Sequence, residues 1–188
     1  MRRRAFIRDT LSAAGLVIAS GVIDSAARLD PVDISPASRA RRVGDLEARV
    51  HARALDFPTV PTIDQVPVLL RDYVTARHVS TQVGVGHRRV YSSMAYLAAF
   101  IAANLTSWQD YDKAMLWYGE ALGHAGRAGD REAAGWIAAR STLIAVHRGD
   151  HRQVMHDAAY AVATSPQGQL GSILGNALAA STAARMGR

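Results

Sequence analysis

The chain has 188 residues, a formal charge of +6 and 49% hydrophobic residues, which suits one domain able to bury a core and argues against disorder. Cysteine is absent, so disulfides, thiolate nucleophiles, Cys-ligated zinc and a lipid-modified cysteine are excluded. Aromatic residues make up only 6% and alanine dominates the apolar content, a usage that favours close-packed helices over a sheet.

Lys113 is the only lysine; the other basic residues are arginines, a usage that looks like GC-rich bacterial coding. The pI near 10.3 permits contact with nucleic acid or anionic lipid, but the charge is scattered and part of it lies between Met1 and Arg8. A solvated surface with a basic N-terminus is the expectation; direct nucleic-acid binding is not.

Residues 1–27 open with Arg3-Arg4-Ala5-Phe6-Ile7-Arg8, which resembles a twin-arginine export signal, followed by the mildly apolar run Leu11 to Ile23 and a small-residue stretch, Ser25-Ala26-Ala27, suited to cleavage. That run is shorter than the roughly 20 apolar residues a transmembrane helix needs, and no other stretch could span a bilayer. The competing reading is an arginine-capped amphipathic segment, or the remnant of a junction, that stays in the cytoplasm.

Residues 28–37, with Asp30-Pro31 and Ser35-Pro36, read as a linker to a helical domain over 38–188. Ser35 or Ser38 caps a predicted helix to about Leu55, with Val43, Leu46, Val50 and Ala54 at helical spacing. Its basic stretch Arg39-Ala40-Arg41-Arg42 has Asp45 and Glu47 nearby as ordinary partners. After Pro58 and Pro61 a second helix is predicted from Asp64 to Gln82, burying Val66, Leu69, Leu70, Tyr73 and Val74, with Pro67 in its first turn. Gly84 and Gly86 mark a turn; they follow a helix and lack the third glycine and preceding strand of a dinucleotide loop. Helices are then predicted over about 88–105, 109–127, 131–147, 151–164 and 168–186, with short turns that favour antiparallel neighbours.

Within 95–128 a repeat pattern is legible. Ala114 is the small residue of a second helix, Tyr118 its aromatic and Ala121-Leu122 its packing pair, while Ala102 in the first helix permits close approach. A fainter copy, Val154, Ala158 and Ala161-Val162, follows forty residues later. A single helical hairpin cannot hide its apolar face alone, so hairpins stack. The fold class expected is therefore all-α, with antiparallel helical hairpins stacked as a short tetratricopeptide-like α-solenoid. The alanine-rich Leu174 to Ala184 lacks a polar capping helix, so the expectation is either that another protein surface or a second copy covers that end or that the chain is a shortened relative of something longer.

The segments Arg3-Arg4-x-Phe6-Ile7-Arg8, Trp117-Tyr118 through Ala128-Gly129-Asp130, and Arg148-Gly149-Asp150 are together similar to the repeat-bearing regulators of actinomycetes, in which a helix-turn-helix domain precedes a tetratricopeptide-like region. The resemblance implies a sensor or docking platform linked to transcriptional regulation. This chain lacks the helix-turn-helix domain, which removes the expectation of direct DNA recognition. The resemblance also tips localisation to the cytoplasm, with twin-arginine export as the alternative.

Chemistry-bearing constellations are sparse. His147 and His151 stand four apart with His156 beyond, but Gly149-Asp150 interrupts any shared helix, so no metal is expected. Asp110 and Asp112 suit a helix N-terminus better than acid–base work, and Glu120 has no obvious partner. No serine lies in a Gly-x-Ser-x-Gly turn. The expectation is a non-enzymatic protein without cofactor. Trp117 and Tyr118 belong to the repeat core or its flank and read as packing residues. Trp136 and Arg140, with Tyr96 and Asn104 on the preceding first-type helix, are the candidate groove for a peptide or protein partner, the alternative being that Trp136 fills space between hairpins.

Overall fold

The computed structural model describes residues 35–83 and 87–187. The twin-arginine-like segment 1–27, most of the linker, and Gly84 to Gly86 lie outside the described residues. Among those described, seven helices and no strand are present: α1 (Pro36–Asp56), α2 (Thr62–Val83), α3 (Arg88–Ser107), α4 (Tyr111–Ala128), α5 (Arg131–Arg148), α6 (His151–Thr164) and α7 (Leu170–Arg185).

Local chemistry sets most of these boundaries. Ser35 caps α1 by accepting the Ser38 N–H at 3.2 Å, and Pro36 takes the first helical position, where its missing donor costs nothing. The helix thus starts two residues inside the expected linker. Helix α2 begins two residues earlier than the sequence suggests, so Pro67 lies past the first turn and removes the bond that would reach the Ile63 carbonyl. Three turns share one geometry at an interval of twenty residues. Gln109, Gly129 and Gly149 have φ of 62°, 64° and 71°, each followed by an aspartate that opens the next helix. In each, the aspartate N–H bonds back at 3.0 Å, Asp110 to Leu105, Asp130 to Ala125 and Asp150 to Ala145. Asp130 and Asp150 also accept the N–H of Ala133 and Gln153.

Every helix packs on the next in sequence, and α1 on α3, α3 on α5 and α5 on α7 as well; no two even-numbered helices meet in this way. Helix α3 therefore has α1, α2, α4 and α5 around it, which is why VYSSMAYLAAFIAANLT carries apolar or small residues on every side. Ala102, Ala114, Tyr118 and Ala121 are buried at the α3–α4 seam, with Leu122 packed beside them, and Val154, Ala158 and Ala161 are buried on α6. Between α1 and α2, fully buried Asp72 accepts from Arg53 at 2.8 Å and Arg49 at 3.4 Å, so the cost of burying the carboxylate is met by two guanidiniums. Helix α7 touches only α5 and α6 and leaves Ile173 54% exposed.

At the α5–α7 contact both partners are glycine. A Cβ on Gly171 would stand 2.4 Å from the Gly135 carbonyl carbon and 2.5 Å from the Trp136 nitrogen. Gly171→Ala should cost about 1–3 kcal/mol in chemical unfolding, because backbone and not a flexible side chain must move. Gln109→Gly should act oppositely, raising stability by about 0.5–1 kcal/mol by relieving a left-handed non-glycine residue, measurable as an upward shift in thermal midpoint.

Candidate functional site

One open groove of about 580 Å³ follows from this arrangement. Its lining comes from α1 (Glu47, Val50, His51, Ala54) and Phe57 just after it, α3 (Arg89, Ser92, Ser93, Tyr96, Phe100), α5 (Glu132, Trp136, Arg140) and α7 (Leu170, Leu174). No even-numbered helix contributes. The glycine contact between α5 and α7 brings the α7 backbone against Trp136, so Leu170 and Leu174 form a wall beside the indole.

Aromatic rings run continuously along the groove. Trp136 lies 5.6 Å from Tyr96 in a tilted pair and 5.6 Å from Phe100 edge-on; Phe100 lies 5.2 Å from Phe57. Arg140 closes the series, its guanidinium carbon 5.6 Å above the Phe57 ring. Burial, then the nearby charges of Asp130 and Glu132, push the Tyr96 phenol up to about 12, so it stays a neutral hydroxyl.

The charged lining divides into satisfied and unsatisfied groups. Arg89 donates through Nε to Glu47 at 2.6 Å and makes a second bond to the same carboxylate. Arg140 meets no carboxylate among the described residues. Its polar neighbour is Tyr118, whose phenol is raised by burial against the opposing pull of the Arg140 charge. The Arg140 Nε and the Tyr118 oxygen are both closed to solvent, and the phenol is the polar group that the Arg140 side chain meets there. Glu132 is exposed and forms no ion pair among the described residues.

Three of the four residues expected at a groove, Tyr96, Trp136 and Arg140, line it together. Asn104 is placed elsewhere, fully buried. Its amide donates to the Phe100 carbonyl at 2.9 Å and to Gln65 Oε1 at 3.2 Å, while Gln65 donates to the Phe57 carbonyl at 3.1 Å. Successive steps of four along a helix drift by about 40° each, and two steps from Tyr96 carry Asn104 under the α1–α2 connection. There it holds in place the segment bearing Phe57. Glu132 was legible as the residue four before Trp136, and Phe100 as four after Tyr96. Phe57 carried no such signal, since it follows the end of α1 beside Pro58.

A second polar cluster lies outside the groove, and it corrects the expectation that Glu120 has no partner. Tyr73 on α2 donates to Glu120 Oε1 at 2.9 Å and lies 3.0 Å from His124 Nε2, itself 3.1 Å from Glu120. Arg127 donates toward His124 Nδ1 at 3.4 Å, which suits the tautomer that carries its proton on Nε2. Tyr91 stacks on the imidazole at 6.0 Å, and Trp117 meets Tyr73 edge-on at 5.1 Å. Burial and Glu120 push the Tyr73 phenol up strongly. The cluster joins the outer helices α2 and α4, which share no backbone contact, and its Glu120 carboxylate is half exposed to solvent.

The histidines are dispersed. His147 stacks on Tyr111 at 6.0 Å, and α5 ends at Arg148 before α6 begins at His151. Among the described residues no three His, Asp or Glu side chains group as a metal site, and no helix is long and apolar enough to cross a membrane.

Hydrogen bonds from His124 and, after the opposing effect of burial, from Tyr73 hold the Glu120 carboxyl at about 2 instead of its ordinary 4.5. Its stabilisation is present above the ordinary value and is lost as pH falls through about 2. Glu120→Gln should lower stability near neutral pH by on the order of 1 kcal/mol, a figure kept small by the carboxylate's half exposure. In urea unfolding the gap to the unmodified protein should close progressively below pH 4.5; a gap independent of pH would exclude the linkage.

Compared with family models, with curated proteins and with solved structures, the chain finds no match in any of the three.

Proposed function

We propose that the chain is a non-enzymatic adaptor built as a short tetratricopeptide-like α-solenoid, binding a peptide or protein segment along the inner face of its odd-numbered helices. The observation that carries this reading is the origin of the groove: all of its lining comes from α1 with the Phe57 that follows it, α3, α5 and α7. Contacts between successive helices and between alternate odd helices, with none between even ones, support a two-layer stack with one inner layer. The twenty-residue interval of the turns at Gln109, Gly129 and Gly149 supports a repeating unit of one helix and one turn, two of which make a hairpin.

Aromatic rings and an arginine are the side chains that most often anchor interfaces, and here they are already held in position before a ligand arrives. The similarity to repeat-bearing regulators suggests a regulatory setting in the cytoplasm, with a DNA-binding or catalytic function supplied by another polypeptide or domain. The Tyr73–Glu120–His124 cluster ties α2 to α4 through hydrogen bonds, which supports a structural role for it.

Selection of a displayed random-peptide library on the folded chain should yield binders that compete with one another. Trp136→Ala, with helical content unchanged by circular dichroism, should weaken them by about 2 kcal/mol or more, roughly thirtyfold. Binders indifferent to Trp136→Ala, or a library that yields none, would count against the groove.

A further inference from the structure

The groove is charged asymmetrically, and this narrows the chemistry of what it can hold. Its Arg89 and Glu47 neutralise each other. What is left is a cation without a carboxylate, Arg140, and a carboxylate without a cation, Glu132, on the same helix. Eight residues of helix separate them, about 12 Å at 1.5 Å per residue. Trp136 stands midway and is the centre of the aromatic series. Arg140 is the deeper of the two charges: its Nε is closed to solvent beside the Tyr118 phenol, and Phe57 lies beneath its guanidinium. Glu132 is at the rim, near Asp130, and both raise the Tyr96 phenol.

Resting on the peptide-groove reading above, we propose that the groove selects an extended peptide segment bearing a carboxylate and a cation about 12 Å apart, with an apolar side chain between them against Trp136. An extended chain advances about 3.3 Å per residue, so the two charges stand three or four positions apart. The carboxylate goes to Arg140, where it meets a guanidinium held over the Phe57 ring and paired with no carboxylate of the lining. The cation goes to Glu132. A uniformly acidic segment would be repelled at the rim by Glu132 and Asp130, and a uniformly basic one by Arg140. The opposed charges thus fix the direction in which the segment lies.

The probes are fluorescein-labelled, end-capped nonapeptides of serine and leucine with one lysine and one glutamate. The charges are separated by two to six positions in either order, and Gln analogues replace each charge in turn. Fluorescence anisotropy with the full chain should find the tightest binding at a separation of three or four and in one order only. Replacing the peptide's glutamate by Gln should weaken binding about tenfold to the unmodified protein and hardly at all to Arg140→Gln. Replacing its lysine should weaken binding to the unmodified protein and to Arg140→Gln, but not to Glu132→Gln. Arg140→Lys, which keeps the cation, should retain most of the preference for the carboxylate and guards against a fold defect in Arg140→Gln. Binding that ignores charge spacing, or a glutamate preference that survives in Arg140→Gln, overturns this proposal and leaves the apolar groove intact. If none of these peptides binds, charged or neutral, and Trp136→Ala yields the same library result as the unmodified chain, the groove reading falls with it.

Discussion

Helix α3 is enclosed by four other helices, and the structure is organised around what that enclosure demands. A helix so placed can expose no polar stripe and must let its neighbours come close, which is why alanine recurs along it and at the facing positions of α4. Small side chains at these seams leave little room for rings. Tyr96 and Phe100, the aromatic residues in the middle of α3, emerge on the side that α1 and α5 leave open, and there they meet Trp136 and Phe57. The groove is thus a consequence of how α3 is packed and not a separate feature added to the fold. The glycine pair at the α5–α7 seam extends the same logic by one helix, bringing a leucine wall up to the indole.

Buried polar groups fix what the alanines alone would leave loosely specified. Asp72 sets α2 against α1 through two arginines, and Asn104 with Gln65 ties the α1–α2 connection to α3. Close-packed small residues permit neighbouring helices to slide; a buried carboxylate or amide with defined partners does not, because each slip leaves an unsatisfied group at a cost of roughly 1–3 kcal/mol. The Tyr73–Glu120–His124 cluster has the same effect between α2 and α4. These three ties lie behind or beside the groove, and the charges that remain unsatisfied face into it. Polar groups that stabilise the scaffold and polar groups available to a ligand are in this way separated in space.

The amino-acid order made the helices legible one by one, since Pro, Gly, Ser and Asp mark their ends and apolar residues recur at steps of three and four. It also made the hairpin around Ala102, Ala114 and Tyr118 visible and singled out Trp136 with Arg140. Gln109 concealed the regular interval of the turns, because a glutamine gives no hint that its backbone is left-handed, whereas Gly129 and Gly149 do. Glu120 looked partnerless because Tyr73 lies forty-seven residues away on another helix.

By itself, then, the sequence determined that the described residues form helices without strands, about where most of those helices begin and end, and where apolar residues recur along them; these follow from local propensity and periodicity, which need only near neighbours. Tertiary structure alone decided that Asn104 is buried behind the groove while Tyr96, two turns earlier, is in it, that Phe57 reaches Phe100 and Arg140, and that Arg89 is neutralised while Arg140 is not. Each of these depends on which distant helix arrives at a given face, and at what height. Burial and charge compensation are properties of that arrival, so no window along the chain contains them.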